Sequence, residues 1–225
     1  MIKIENVETY GWEAAVRGMR NPMNSWDKSD SWFWIKGSGL NQAWGITENV
    51  PDLTYGVHAG EKDLNLMKNL SHAGNDHGKF LRMITVTVDI TAPLYWFKEF
   101  DTYKVGTVAN SCSTMHKIHA KPFEMDDFSH EHLSDHNREW VLGTVIINQL
   151  NKEREHFLDS KDKDDWWQMI QLLPSSYNQK RTVQMNYAVL KNMYHARKNH
   201  KLDEWREFCK WCETLPYFKE ICIDD

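Results

Sequence analysis

The stretch Phe80 to Ile90, FLRMITVTVDI, alternates apolar with polar side chains and is rich in β-branched residues, which suits a pleated, half-buried strand. Pro93 follows and starts a helix, PLYWFKEFDTYK, because proline fits a first helical turn, where its missing N–H has no partner anyway. Any fold for this chain must therefore hand a strand directly to an aromatic helix. Around this pair, Ile2 to Val7 reads as a short strand, and a helix carries Ala14 to Arg20. Lys62 to Leu70 has helical spacing through Leu64, Leu66, Met67 and Leu70, and the polar SHAGNDHGKF leads from it into the strand. Asp135 is expected to cap a helix through Trp140, Val141, Val145, Ile146 and Leu150. The charged NKEREHFLDSKDKDD after it reads as a solvated helix end and loop. Trp166 to Leu172 resumes an apolar helix. With no internal repeat or low-complexity linker, residues 1–225 read as one domain.

Residues 21–51 have neither helical nor strand period and are studded with Gly, Asn and Trp. They read as an irregular insertion or lid with short strands. The chain holds 11 tryptophans, and Trp26, Trp32, Trp34 and Trp44 gather here, as an aromatic packing surface or an interface would require.

Charge and cysteine content narrow the function classes. A net charge of −5 argues against broad nucleic-acid binding, which needs a basic stripe, so an anionic ligand must be held by a few focused cations. No apolar run approaches the roughly 20 residues of a membrane span and no signal-peptide pattern opens the chain, so a cytoplasmic protein is expected. The 4 cysteines are too few for a disulfide framework and read as reduced thiols. Cys209-x-x-Cys212 lies inside the helical pattern EWREFCKWCETL, where packing explains it better than zinc. His130, His132 and His136 have ligand-like spacing near His116 and His119, but Pro122 and Ser134 interrupt the segment, and no metal is assigned.

The C-terminal third carries the chemistry. Leu173-Pro174 and Ser175-Ser176 end one element, a donor-rich loop follows, and from about Gln184 the spacing turns into a long helix. On that helix Asn186, Leu190, Met193, Arg197 and His200 share one stripe. Two readings stand: a half-buried helix whose arginine snorkels to solvent, or a pocket wall that binds something planar or anionic.

The order Leu173, Pro174, Asn186, Leu190, Asn192 and Arg197, with Trp205 after a one-residue insertion, resembles the C-terminal signature of the flavin-dependent thymidylate synthases. The strand, Ala92-Pro93 and the aromatic helix form the second half of the resemblance. Departures cluster after that helix. Lys98, Glu99 and Phe100 stand where Arg, Gln and Trp are usual; Thr102, Tyr103 and Lys104 replace Arg-His-Arg; Ala109-Asn110 replace Asn-Glu; Cys112 stands at a serine and Thr114 at an arginine.

The resemblance implies an α+β fold, a central largely antiparallel sheet wrapped by helices, with the Trp-rich segment as an insertion at about residues 21–60. It implies reductive methylation of dUMP to dTMP, with FAD as cofactor, methylene-tetrahydrofolate and NADPH as co-substrates, and a homotetramer whose active sites lie between subunits. Arg197 then takes the catalytic role, because a fixed guanidinium stabilises negative charge on a ring carbonyl. Cys112 joins it if its thiolate adds to the pyrimidine ring; the alternative is a small residue in a tight loop. His77, Lys104, Asn186, Asn192 and His200 are the implied cofactor-binding residues. Arg20, Glu99, Thr102, Ser111, Ser113, Thr114, Lys180 and Arg197 are the implied substrate-binding ones, with Arg181 as a further source of charge.

Two other readings survive the sequence. The chain is a degenerate relative that binds a nucleotide or flavin and modifies another pyrimidine or has lost catalysis, or it is an assembly protein whose Trp-rich surface makes the contacts.

Overall fold

A computed structural model describes residues 2–36 and 54–223. Its centre is a four-stranded antiparallel sheet in the order β1 (Lys3–Tyr10), β4 (Thr85–Pro93), β6 (Asn178–Asn186), β5 (Val108–Ser111). Strand alternation sorts the faces. Val86, Val88, Ile90 and Ala92 of β4, with Val183 and Met185 of β6, are buried on one face. Thr87, Asp89, Lys180, Thr182 and Gln184 line the other, which stays polar and partly open. Asn6 at φ 52 and Val7 form a bulge where β1 slips against β4.

The helices of the main core gather on the apolar face. They are α1 (Trp12–Arg20), α2 (Glu61–His72), α3 (Leu94–Phe100), α6 (Tyr187–Arg197), α7 (Asp203–Cys212) and α8 (Phe218–Cys222). Trp96 stacks on Phe100 at 5.0 Å and meets Trp205 at 4.8 Å, so aromatic rings fill much of the layer. Gly11 makes the turn from β1 into α1 at φ 86, and a Cβ there would sit 1.9 Å from the Met83 carbonyl oxygen, so only glycine fits.

A second apolar cluster, Ile118, Phe123, Phe128, Leu142, Ile147, Leu150 and Met169, holds a helical lobe. Its helices are a π-helix at His136–Ile146, α4 (Ile147–Ser160) and α5 (Lys163–Leu172). In the Trp-rich region, β2 (Trp32–Lys36) and β3 (Thr54–His58) pair antiparallel. Trp32 lies 4.7 Å from Trp34 and 5.2 Å from His58, ring to ring; Trp44 falls outside the described residues. No helix among the described residues is long and apolar enough to cross a membrane.

Four expectations are corrected. The strand begins at Thr85, because Phe80 and Leu81 are buried side by side in a 3-10 turn at Gly78–Arg82 and adjacent buried residues cannot alternate. The helix after Pro93 ends at Phe100 rather than Lys104. The helix after Asp135 opens in π form, and the Asp135 carboxylate pairs with Arg138 at 2.7 Å instead of capping. Finally, the donor-rich loop before the C-terminal helix is the central strand β6, and the helix itself, 11 residues long, ends at Arg197.

Candidate functional site

Helix α6 has chemistry at both ends. At its start Asn186 is the N-cap: its Oδ1 accepts from the Val189 N–H at 3.0 Å, leaving the Nδ2 amide to face Gly106. Gly106 sits at φ 80, and a Cβ on it would come within 2.9 Å of that Nδ2, so the loop lies tight against the helix start. Between this helix, Gly106 and the 3-10 turn after α2 lies a cavity of about 680 Å³.

Its lining includes Arg82 and Lys191 and, among the described residues, no carboxylate, with exposed Asp76 next to the lining residue Asn75. Lys191 Nζ donates to the Ser71 carbonyl oxygen at 2.9 Å and to Ser71 Oγ at 3.0 Å, while Arg82 makes no ion pair with any described residue. Asn186, Asn192 and His195 add polar edges. Two cations and amide groups beside a helix N-terminus suit an anionic, planar ligand. His77 is exposed, between the lining residues Gly74 and Gly78, at the N-cap position of the 3-10 turn, with no capping hydrogen bond from its side chain.

The other end of α6 lies about 16 Å along the axis, at 1.5 Å per residue. There Arg197 Nη1 donates to Glu99 Oε2 at 2.6 Å and Nε donates to Tyr103 Oη at 2.9 Å. The guanidinium lies 4.9 Å from the Trp205 ring centroid. Trp205 Nε1 donates to the same Glu99 oxygen at 3.2 Å, and His200 Nε2 lies 3.3 Å from it. His200 Nδ1 accepts from the Leu202 N–H, so Nε2 carries the proton that faces Glu99. Arg197 is therefore a clamped guanidinium with a local counter-charge, not an arginine reaching for water.

The remaining candidates fall elsewhere. Cys112 is exposed just past β5; its N–H donates to the Lys180 carbonyl and its own carbonyl accepts from Gln179 Nε2. Ser113 Oγ accepts from the N–H groups of Met115 and His116 at 3.1 and 2.8 Å. Those two backbone donors are thus already used inside the loop. Ser111 pairs opposite Arg181, and Thr114 is half-buried.

Lys180 reaches Asp89 at 3.0 Å on the polar face of the sheet, and hydrogen bonds from Thr182, Asn6 and Lys180 lower the Asp89 pKa to about 2. Arg181 pairs with Asp101 and lies 3.9 Å over Phe97. Thr102 Oγ1 donates to the Glu99 carbonyl, and Lys104 is exposed. Arg20 is 5% exposed and its Nε meets Asp63 Oδ1 at 2.6 Å. Asp63 also accepts from Ser29 Oγ and from the N–H groups of Asp30 and Ser31, a buried knot that joins α1 to α2. The Arg20 guanidinium is thus engaged inside the protein.

His77, Cys112 and Arg197 are not among the lining residues of the cavity at the start of α6. His130 contacts the Phe128 carbonyl and His132 pairs with Asp203, so those histidines face different partners. Cys209, Cys212 and Cys222 are buried, and burial raises all three thiol pKa values, to about 11 for Cys209 and about 12 for Cys222. Arg82, Lys191 and Gly106 line the site without a sequence signal of their own; the cations look like any surface pair until the fold brings them together.

In sequence, no family model matches the chain and no curated protein matches it. In structure it is similar to thymidylate synthase X from Helicobacter pylori with FAD and dUMP, at a TM-score of 0.66 and 16% identity over 100% of this chain and 98% of that one. A second structure, the flavin-dependent thymidylate synthase from the same organism complexed with FAD and dUMP, gives 0.64 and 16% over 98% and 99%. At that identity the likeness establishes the fold: an α+β chain built like the flavin-dependent thymidylate synthases.

Proposed function

We propose that the chain is a flavin-dependent thymidylate synthase-like enzyme that converts dUMP to dTMP, with methylene-tetrahydrofolate and NADPH as co-substrates, in the cytoplasm. One observation carries this reading: in a fold shared with two structures solved with FAD and dUMP, the cavity at the start of α6 is lined by Arg82 and Lys191 and, among the described lining residues, by no carboxylate. The residues fit FAD, because cations suit its phosphates and the Asn186 and Asn192 amides suit the mixed donor and acceptor edge of its ring. FAD, when bound, supplies the reducing equivalents; the chain supplies binding and orientation.

On this reading Arg82 and Lys191 hold phosphate, Asn186, Asn192 and His77 hold the cofactor, and Arg197 donates to a carbonyl oxygen of the pyrimidine ring as charge develops there. Glu99, Tyr103 and Trp205 fix the guanidinium in one orientation. About 16 Å separates the two ends of α6, too far for one pyrimidine to touch both. The reading therefore assigns them to an active site shared between subunits of a homotetramer.

A second reading has its own support. The Glu99 counter-charge on Arg197, and the backbone donors used by Ser113, suit a relative that binds a flavin or nucleotide but modifies another pyrimidine or does not turn over. The absorption spectrum of the purified protein, with thermal shifts for FAD and dUMP, separates these from a chain with neither function. Bound flavin together with rescue of a thymidine-requiring bacterium supports the first reading, and bound flavin without rescue the second. A colourless protein that neither ligand stabilises overturns both.

A further inference from the structure

The α4–α5 hairpin carries a side-chain cluster that the proposed function does not use. Glu153 and His156 lie three residues apart and so share one face of α4. The chain then reverses through Lys161 at φ 57, which brings Asp165, in the first turn of α5, against them. One ligand-type atom from each of the three lies within 4.8 Å of the others, the single such group among the described residues. We propose that Glu153, His156 and Asp165 form a divalent transition-metal site, fitted to Zn²⁺, that pins the end of α4 to the start of α5.

Three features support the assignment. First, the separation is close to what an ion needs: nitrogen and oxygen ligands at about 2.0–2.2 Å from zinc stand about 3–4 Å apart, and His156 Nδ1 is already 3.8 Å from Glu153 Oε2. Second, both carboxylates are steadied from outside the trio. Gln149 Nε2 donates to Glu153 Oε1, and Ser160 Oγ donates to Asp165 Oδ2 at 2.6 Å, the outer-shell support that orients ligating oxygens. Third, the Glu153 side chain is only 13% exposed and has no Lys or Arg within ion-pair distance among the described residues, while His156, at 52%, leaves a way in.

The donor set decides the ion. An imidazole nitrogen with two carboxylates selects zinc and its transition-metal neighbours over Mg²⁺ and Ca²⁺, which prefer all-oxygen shells. With three protein ligands, water completes the coordination. The ion acts mechanically. Arg154 Nε donates to the His119 carbonyl at 2.9 Å and Phe157 packs 4.8 Å from the His119 ring, so an ion on this stretch of α4 stiffens the helical lobe and the loop leaning on it.

The test is a titration of the full chain, stripped with a chelator, with ZnCl₂ by calorimetry, and with Co²⁺ read by quenching of the adjacent Trp166 and Trp167. One ion per chain and a rise in Tm with Zn²⁺ are expected. His156→Ala and Asp165→Asn should each weaken binding by about tenfold or more and abolish the Tm rise. His132→Ala, on a different surface, should leave both unchanged. Melting in EDTA identical to the parent chain establishes that each variant is folded. Absence of stoichiometric uptake by the parent chain, or a folded His156→Ala that binds as tightly, overturns the proposal.

Discussion

Arg197 and Glu99, 98 residues apart in sequence, meet through a 2.6 Å hydrogen bond between Nη1 and Oε2, and the arginine is held again by Tyr103 and Trp205. Because the pair is partly exposed, it contributes about 1 kcal/mol or less to stability. Arg197→Ala, which also removes the Tyr103 hydrogen bond and the Trp205 contact, should cost about 1–3 kcal/mol in urea unfolding and leave the chain folded, and on the proposed function it abolishes turnover of dUMP. Unchanged turnover in that variant removes Arg197 from the catalytic role.

The Arg20–Asp63 pair is the opposite case, because both side chains are buried. Asp63→Ala leaves the guanidinium without its counter-charge and should cost about 3–5 kcal/mol in urea unfolding. Burial alone acts to raise the Asp63 pKa, but hydrogen bonds from Ser29, Ser31 and Arg20 outweigh it and the net shift is downward. A lowered folded-state pKa means the pair's contribution is complete above the ordinary carboxylate value of 3.8 and fades as the pH falls below it. Stability measured between pH 5 and about pH 2 should thus fall less steeply in Asp63→Asn than in the parent chain.

Gly106→Ala tests the cavity. The added Cβ meets Asn186 Nδ2 at 2.9 Å and Val189 Cγ2 at 3.0 Å in a backbone at φ 80, which costs about 1 kcal/mol or more. Either the loop lifts or the Asn186 cap is displaced, and both disturb the cavity edge, so the thermal shift produced by FAD should shrink in this variant. An FAD response equal to that of the parent chain moves the cofactor away from this cavity.

Thiol reactivity separates the cysteines. Cys112 is exposed, whereas Cys209, Cys212 and Cys222 are buried with raised pKa values. An aromatic disulfide reagent should label one thiol per native chain at once and the other three only in guanidinium. Cys112→Ser should remove the fast phase. It should leave dUMP turnover intact if Arg197 and the flavin suffice, and abolish it if the thiol adds to the ring.

Local pattern revealed some elements and hid others. The Thr85–Pro93 strand, its aromatic helix and the α1 helix are legible because their periods are clean and their buried faces continuous. Strand β6 was hidden: Asn178, Lys180, Thr182 and Gln184 on its open face read as loop chemistry, and only Val183 and Met185 signal the alternation. The π-helix was hidden because its hydrogen-bond shift leaves no mark in a spacing of Trp140, Val141 and Val145. Asn186, Asn192 and Arg197 are visible on one helix, but the gap between its ends is a matter of length. The partners of Arg20 and Arg197 come from segments 43 and 98 residues away, beyond any local pattern.

Two oily kernels in one chain have a consequence for how it comes apart. The kernel under the sheet is larger, and the strands crossing it share their hydrogen bonds, whereas Ile118, Phe128, Leu150 and Met169 sit in a smaller nest beneath helices that begin in a π-helical coil. Amide protons of the nest should exchange with deuterium by openings that leave the sheet shut. The molecule would then breathe through its helical side while its floor holds still.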